Sequence, residues 1–218
     1  MSDFDHLAPD LDRGLAAMDL DLPAPARRDL LAYLALLARW NRSYNLTAVR
    51  DPAQMLVRHV FDSLAVLPHL HGARLADVGA GPGLPGIVLA LARPDLHLLS
   101  IDSNGKMARF QREAIRVLDL GARCRVEQAR VQAVDAGAGY DTVSARAFAS
   151  LADFVTASAH LLAPGGRWLA LKGRRPDAEI AVLPADIRVE AVRPLAVPGL
   201  AEQRHAIIMA GPSTEAAA

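Results

Sequence analysis

Glycines and a carboxylate crowd into one short stretch of the sequence, positions 75–86. Asp77 lies near the end of an apolar run, and glycines follow at positions 79, 81, 83 and 86. This pattern predicts a buried strand, a tight turn and a helix, because glycine lets the backbone turn sharply and lets a ligand approach with no Cβ in the way. A helix that begins at such a turn presents free N–H groups to the ligand. The stretch is therefore the first candidate for chemistry.

The spacing of these glycines narrows the choice of ligand. A dinucleotide fingerprint needs G-x-G-x-x-G, and counted from Gly79 its third glycine would fall on Leu84. The chain instead reads G-x-G-x-G, with Gly81 in the second place and Asp77 two residues upstream, which is similar to the first motif of S-adenosylmethionine-dependent methyltransferases. Asp77 suits the methionine ammonium of that ligand, bound directly or through water. The alternative, a glycine-rich turn without a ligand, is disfavoured by the strand–turn–helix context.

A repeating strand–helix pattern would position this turn. Strands are predicted at 74–78, 97–101, 123–128, 141–145 and 167–171, and two more at 187–194 and 205–209. The alternation predicts an α/β protein with a mostly parallel seven-stranded Rossmann-like sheet and helices on both faces. Ligands of such sheets bind outside the carboxyl ends of the strands. The residues expected at those ends are Gly79, Asp102, positions 130–132, Arg146 and Lys172.

Asp102 has a more specific expected role. It follows the second predicted strand, twenty-odd residues beyond the glycines, where a doubly wound sheet places a carboxylate for ribose hydroxyls. We therefore predict that Asp102 contacts the ribose of the ligand.

The chain before the sheet reads as a helical extension over positions 1–66, packed on a catalytic domain at 67–211. Helices are predicted at 3–22, 25–40 and, after an Asp51-Pro52 start, to position 63. Arg58 and His59 on the last of these could meet a carboxylate or phosphate, or could merely satisfy local structure. Both interpretations have equal weight. Positions 212–218 are small and polar and are predicted to be a disordered tail.

Composition limits which classes of protein remain possible. The 218 residues carry no net formal charge, so nucleic-acid binding would need a local basic patch. The longest apolar runs are too short and too amphipathic to cross a bilayer, and no secretion signal is visible, so we expect a cytoplasmic protein without membrane contact. Cys124 is the single cysteine, which excludes an internal disulfide and a cysteine-cluster zinc site, and no metal is expected.

Several further motifs resemble one family in particular. These are Asp102-Ser103-Asn104-Gly105-Lys106, Ser144-Ala145-Arg146-Ala147-Phe148-Ala149-Ser150, Leu171-Lys172-Gly173, Trp40-Asn41 with Asn45-Leu46-Thr47, and Arg58-His59 with Asp62-Ser63-Leu64. Together with the glycine turn they resemble the bacterial ribosomal small-subunit methyltransferase G family, also called the glucose-inhibited division protein B family. The resemblance covers about positions 25–209.

The resemblance implies a class I methyltransferase fold and methyl transfer from S-adenosylmethionine to N7 of a guanine in a conserved loop of 16S ribosomal RNA. It implies cofactor contacts at Gly79, Leu84, Val131, Gln132 and Arg146, and action on the small ribosomal subunit. Separately from the resemblance, we expect a monomer, although the sequence carries no signal for oligomeric state. The chain departs from the family pattern twice. Gln132 stands where the family usually has glutamate, and its carbonyl can still accept a hydrogen bond from the adenine edge. Ala145 stands where serine is common, so any hydroxyl role is lost there.

The implied chemistry fits the residues present. Guanine N7 has an exposed lone pair and no proton, so its methylation needs proximity and alignment rather than a general base or a nucleophile, and we predict neither. Enzymes that methylate exocyclic amines resemble one another in an Asn/Asp-Pro-Pro-aromatic turn, whereas this chain has Arg146-Ala147-Phe148-Ala149 there. Phe148 could stack on a splayed-out base or pack in the following helix.

Basic residues supply the expected RNA contacts. Arg58, His59, Lys172, Arg174 and Arg175 are the candidates, because cations near a cleft rim anchor phosphates without reading sequence. The alternative is that each is an ordinary solvated side chain.

Three other functions stay open from sequence. A nucleotide-dependent dehydrogenase is opposed by Leu84 in the glycine pattern. A protein that binds S-adenosylmethionine without turnover, and a methyltransferase for another RNA, a protein or a small molecule, differ from the main hypothesis in turnover and in acceptor.

Overall fold

A helical segment precedes the sheet in the computed structural model, which describes residues 4–212. Helix α1 spans Ala8–Ala17 and α2 spans Ala24–Tyr44. A third helical stretch runs from α3 (Pro52–Met55) through a π-helical section (Leu56–Phe61) into α4 (Asp62–Leu64). Short 3₁₀ turns lie at Asp5–Leu7 and Leu67–His69. The Asp51 carboxylate accepts a hydrogen bond from the Gln54 N–H at 2.9 Å, so the predicted helix start is confirmed.

Seven strands form one sheet. Their bounds are β1 Arg74–Val78, β2 His97–Ile101, β3 Cys124–Glu127, β4 Tyr140–Arg146, β5 Leu162–Lys172, β6 Arg188–Pro194 and β7 His205–Ala210. The strand order is β3-β2-β1-β4-β5-β7-β6, and only β7 runs antiparallel to its neighbours β5 and β6. The predicted Rossmann-like, mostly parallel seven-stranded sheet is confirmed.

Helices join the strands on both faces. They are α5 Gly86–Ala92, α6 Gly105–Val117, α7 Leu151–Ser158 and α8 Asp177–Ile180, with 3₁₀ turns at Val131–Ala133 and Ala159–Leu161. One apolar core unites α1, α2, α5 and α6 with one sheet face, and a second lies under α7 on the other. Helix α2 packs against both α5 and α6, so the extension covers the helices that follow β1 and β2.

Strand β5 begins earlier than the sequence pattern predicts. It starts at Leu162, before the predicted position 167, so Pro164, Gly165 and Gly166 lie inside the strand at a register shift against β4. Gly165 has φ +75°, a conformation that favours glycine, so the irregularity is a bulge. The bulge lies at the amino end of the strand and leaves the carboxyl end regular.

The described residues cover the two ends of the chain only in part. The predicted tail at 212–218 lies outside the described residues except for Pro212, and the first residue of the predicted helix at 3–22 lies outside them too. Along residues 4–212, no helix combines the length and the apolar character needed to cross a membrane.

Candidate functional site

The glycine turn joins β1 to α5 at the carboxyl edge of the sheet. Gly79 and Gly81 have φ values of +67° and +57°, and a Cβ added to either would meet no atom within 4 Å. A Cβ at Gly83 would instead lie 2.4 Å from Ile87, and one at Gly86 would lie 2.9 Å from the Asp77 carboxylate. The first two glycines therefore border open space that can receive a ligand, whereas the last two permit close packing.

Asp77 lies beneath this turn. Its side chain is fully buried, with Oδ1 accepting a hydrogen bond from Ser144 Oγ at 2.8 Å and Oδ2 accepting one from the Gly86 N–H at 2.9 Å. Burial raises the pKa of the Asp77 carboxyl from 3.8 to about 6, against the opposing effect of these two hydrogen bonds. The carboxylate is sealed from solvent and fastens the turn to β4 and α5. Contact between Asp77 and a ligand ammonium, direct or through water, stays a prediction that this burial does not favour.

Asp102 holds the turn from the neighbouring strand. Its Oδ2 accepts a hydrogen bond from the Gly81 N–H at 2.8 Å, and Oδ1 accepts one from the Asn104 N–H at 2.8 Å. The side chain is only partly buried and lies next to the open glycines. Contact with a ribose stays a prediction that this position permits.

Two buried side chains that the sequence analysis missed complete the support of the turn. Gln111 Nε2 on α6 donates to the Gly81 carbonyl at 2.5 Å, and the Tyr33 hydroxyl on α2 donates to the Pro82 carbonyl at 2.8 Å. Both residues are 0 % exposed. A glutamine on the apolar face of α6 was a visible signal, since polar residues buried without a partner are costly. Nothing in the sequence linked Tyr33 to the turn 49 residues away.

Arg146 ends β4 at the same edge and belongs to a cluster of three charges. Asp62 Oδ2 lies 3.5 Å from Arg146 Nη1, and Asp62 Oδ1 accepts a hydrogen bond from Arg204 Nε at 2.9 Å. The Arg146 charge also opposes the burial-driven rise in the pKa of Asp77. Arg146 therefore lies between the glycine turn and the helical extension. Arg204 precedes β7, and its chain position gave no signal for this role.

His59 is buried beside Arg146. Its Nε2 lies 3.1 Å from Thr47 Oγ1, and only 5 % of the residue is exposed. Burial, with the Arg146 charge, lowers the pKa of His59 from 6.5 to about 4. The imidazole is therefore neutral near pH 7 and supplies no positive charge for a phosphate, so the RNA contact of His59 stays a prediction that its burial does not favour.

The other predicted RNA contacts differ in how free their charges are. Arg58 pairs with Glu202 at 2.7 Å, Lys172 with Glu179 at 2.8 Å, and Arg175 with Asp177 at 2.6 Å. Lys172 is the most enclosed of these cations, with 14 % of its side chain exposed. Arg174 is exposed. These residues lie near the carboxyl edge, but three of the four charges are already paired with a carboxylate.

The remaining predicted cofactor contacts lie after β3 and within the glycine turn itself. Val131 is buried and Gln132 exposed in the 3₁₀ turn after β3. Leu84 is 1 % exposed, and its N–H donates to the Ala80 carbonyl at 2.9 Å, so it underlies the turn. The structure thus brings the turn, Asp102 and Arg146 to one edge, and the ligand contacts themselves stay predictions.

Two cavities lie away from this edge. One of about 490 Å³ is lined by Arg74, His97, Arg123 and Arg125 at the amino ends of the strands. Another, of about 720 Å³, lies at the β5 bulge. Neither is lined by a residue of the predicted cofactor site. The glycine turn is the better candidate because its chemistry and its place in the fold agree.

The fold and this edge define a protein with the Rossmann-like fold of class I methyltransferases. The structure is similar to that of TrmN from Thermus thermophilus, with a TM-score of 0.54 and 21% identity over 78% of this chain and 53% of that one. It is also similar to an S-adenosylmethionine-dependent O-methyltransferase from Thermotoga maritima, with a TM-score of 0.53 and 17% identity over 69% of this chain and 64% of that one. These likenesses concern the fold.

Sequence comparison identifies the family within this class. The family model for rRNA small subunit methyltransferase G matches residues 26–208. Ribosomal RNA small subunit methyltransferase G of Xanthomonas euvesicatoria pv. vesicatoria is 53% identical over 93% of this chain and 96% of its own length. The protein of that name from Stenotrophomonas maltophilia is 52% identical over 94% and 96%. The chain belongs to the rRNA small subunit methyltransferase G family.

Proposed function

We propose that this protein transfers a methyl group from S-adenosylmethionine to N7 of a guanine in 16S ribosomal RNA of the small ribosomal subunit. The observation that carries the proposal is the open cradle at Gly79 and Gly81, with Arg146 at the same sheet edge, in a chain of this family. Membership of the family supports the RNA acceptor. The cradle supports the cofactor.

The residues fit this cofactor, because Gly79 and Gly81 leave open the space that any Cβ at these positions would fill. In our proposal Gly79 and Gly81 lie against the methionine portion, Asp102 accepts hydrogen bonds from the ribose, and Val131 and Gln132 border the adenine. When bound, S-adenosylmethionine supplies a methyl group on a sulfonium sulfur that a lone pair can displace directly. Asp77, Gln111 and Tyr33 act indirectly, by fixing the backbone of the turn.

The protein's task in this reaction is alignment. Guanine N7 has no proton to lose, so no side chain needs to act as a base. His59 is neutral and buried, and the Asp77 carboxylate is sealed from solvent, so neither group is available to take a proton from a substrate. These positions agree with a reaction that depends on preorganised contacts rather than proton transfer.

The test uses small-subunit particles from cells that lack this activity. The purified protein is incubated with them and labelled S-adenosylmethionine, and the product is mapped by cleavage at N7-methylguanine. We expect label at one guanine of 16S ribosomal RNA, and none with Gly79→Ala. Tight cofactor binding with no label on RNA or on particles would overturn the proposed acceptor. Label on a small molecule in its place would favour the alternative acceptor class.

We also propose that the protein works as a monomer in the cytoplasm, where the small subunit is assembled. Val117 and Val182 are the large hydrophobic residues exposed in the described part of the chain, and such isolated residues do not make an extended apolar patch. Sedimentation at micromolar concentration is expected to give the mass of one chain.

A further inference from the structure

The pairing of charges at the carboxyl edge singles out one group of residues. Lys172, Arg58 and Arg175 each have a carboxylate of their own, so each pair adds no net charge. Asp62 is different, because this one carboxylate forms ion pairs with both Arg146 and Arg204. The Arg146–Asp62–Arg204 cluster therefore carries one net positive charge beside the open glycine turn.

The geometry of this cluster leaves donors available. Each arginine has five N–H groups in a planar fork. Arg204 uses Nε toward Asp62 and Nη1 toward the Gln203 carbonyl at 2.9 Å, and Arg146 approaches Asp62 through Nη1. About a quarter of each arginine side chain is exposed, against 6 % for the Asp62 side chain. The carboxylate is buried behind two guanidinium groups that solvent still reaches.

We propose that Arg204 binds a phosphodiester of the target RNA, next to Arg146, and that Asp62 is the positioning residue that holds the two guanidinium groups side by side. The inference rests on the proposed function and adds the RNA contact that the paired charges of Lys172 and Arg58 do not readily provide. Planar guanidinium groups match phosphate oxygens bidentately, which a lysine cannot do.

Three separate parts of the chain meet in this cluster. Asp62 is on the helical extension, Arg146 ends β4, and Arg204 precedes β7. A second link in the same region joins Arg58 of the extension to Glu202, two residues before Arg204. The segment before β7 is thus fastened at two points, and the Arg204 backbone is held near the site before RNA arrives. Such preorganisation lowers the entropic cost of binding.

The first experiment replaces Arg204 by glutamine and measures binding of a 16S ribosomal RNA transcript at several salt concentrations. We expect affinity to fall about tenfold, and the slope of log affinity against log salt to fall by about one, as for one lost phosphate contact. Arg188→Gln is the matched control, because Arg188 pairs with Glu190 at the opposite end of the β6–β7 pair and its loss is expected to leave RNA binding unchanged.

Calorimetry with S-adenosylmethionine separates this role from a cofactor contact. Arg204→Gln is expected to bind the cofactor with wild-type affinity. Lower cofactor affinity with unchanged RNA binding would overturn the proposal and assign Arg204 to the methionine carboxylate. Because RNA and cofactor binding are measured without turnover, the result stands apart from whether the wild-type protein methylates N7.

Asp62→Asn tests the positioning role through opposite effects on binding and rate. Removing the carboxylate adds net positive charge, so RNA is expected to bind at least as tightly and with a steeper salt dependence, while kcat falls about tenfold because the arginines lose their shared anchor. Equal losses of RNA affinity and rate, in proportion to a lower Tm, would contradict positioning.

If Asp62→Asn does not fold, Arg204→Lys is the second variant. It keeps the charge without the fork, so we expect an unchanged salt slope, a smaller loss of RNA affinity than in Arg204→Gln, and a lower kcat. Unchanged RNA affinity together with an unchanged kcat would overturn the role.

Discussion

The glycines of the turn divide at the level of single residues into two groups. Gly79 and Gly81 border open space, whereas Gly83 and Gly86 are packed against Ile87 and Asp77. The sequence pattern treats all four alike, because a glycine required by a ligand and one required by packing look the same in the chain. A substitution can distinguish them.

Gly79→Ala is expected to abolish measurable binding of S-adenosylmethionine by calorimetry, because the new methyl group occupies the space that the ligand needs. The left-handed φ also costs about 1 kcal/mol of stability. Gly165→Ala is the matched control, since Gly165 has φ +75° and open space but lies at the β5 bulge. It is expected to lose the same stability and to keep full affinity. Retained affinity in Gly79→Ala would overturn our placement of the cofactor.

Asp77 and His59 give a second prediction at this scale, because burial shifts their pKa values in opposite directions. The Asp77 carboxyl has its pKa raised from 3.8 to about 6, so the folded state binds more protons than the unfolded state and stability falls as pH rises through that window. His59 has its pKa lowered from 6.5 to about 4, so stability rises with pH over nearly the same window. Each pKa shift changes the free energy of unfolding by about 3 kcal/mol across this pH range. The two changes have opposite signs, so they nearly cancel in the wild-type protein.

Single substitutions are expected to expose the two halves of this balance. Measured by urea unfolding between pH 4 and 6.5, Asp77→Asn should gain stability relative to wild type as pH rises, and His59→Gln should lose it. Both substitutions retain groups that can hydrogen-bond the existing partners. Parallel pH curves for Asp77→Asn and wild type would show that the Asp77 carboxyl is not perturbed by burial.

Helix α2 is the element that connects the extension to the site. Tyr33 reaches the Pro82 carbonyl, and Phe110 on α6 packs against both Tyr33 and Trp40 at ring-centroid distances of 6.1 and 5.7 Å. The apolar stripe that predicts this helix shows that one face is buried, and the buried face turns out to include the residue that braces the turn. The extension therefore contributes to the site as well as to the core.

Tyr33→Phe is expected to lower stability by about 1–3 kcal/mol, because the buried Pro82 carbonyl loses its donor. The looser turn is also expected to weaken S-adenosylmethionine binding about fivefold by calorimetry, roughly 1 kcal/mol. Tyr44→Phe on the same helix is the control, since Tyr44 stacks on Trp40 at 5.2 Å through its ring, which phenylalanine keeps. If Tyr33→Phe loses stability alone, the hydroxyl supports the fold without tuning the cofactor site.

The strands, their order of alternation and the turn after β1 were predictable because they rest on local patterns. The apolar run that ends in Asp77 and the glycines predicts a strand and a turn from neighbouring residues alone. In the same way, Asp51 before Pro52 predicts the start of a helix. The supporting contacts were not predictable, because Gln111, Tyr33 and Arg204 act across 30, 49 and 142 residues of chain. The burial of His59 and the carboxylate partner of Lys172 were not predictable for the same reason. Their types suggest phosphate binding, and their burial and partners are properties of the folded chain.

At the scale of the whole molecule, the predicted extension at 1–66 and the predicted domain at 67–211 share one continuous apolar core. Leu30, Tyr33 and Leu37 of α2 share one apolar cluster with residues of α5, α6 and the sheet. We propose that the two parts fold as one cooperative unit. The sheet-side residues of that cluster would be exposed to water without the extension, at a cost of about 25 cal/mol for each Å² of apolar surface.

The two tryptophans allow this cooperativity to be measured. Trp40 lies on α2 in the extension and Trp168 on β5 in the sheet. In a Trp168→Phe variant the remaining fluorescence reports the extension, and in Trp40→Phe it reports the sheet. Within each variant, urea transitions followed by fluorescence and by far-ultraviolet circular dichroism are expected to coincide, since a shared core melts as one. An extension signal that is lost at lower urea than the dichroism would instead show an independently unfolding part. Removal of the extension would then leave a folded sheet domain, whereas the Tyr33 and Asp62 contacts lead us to expect that it leaves none.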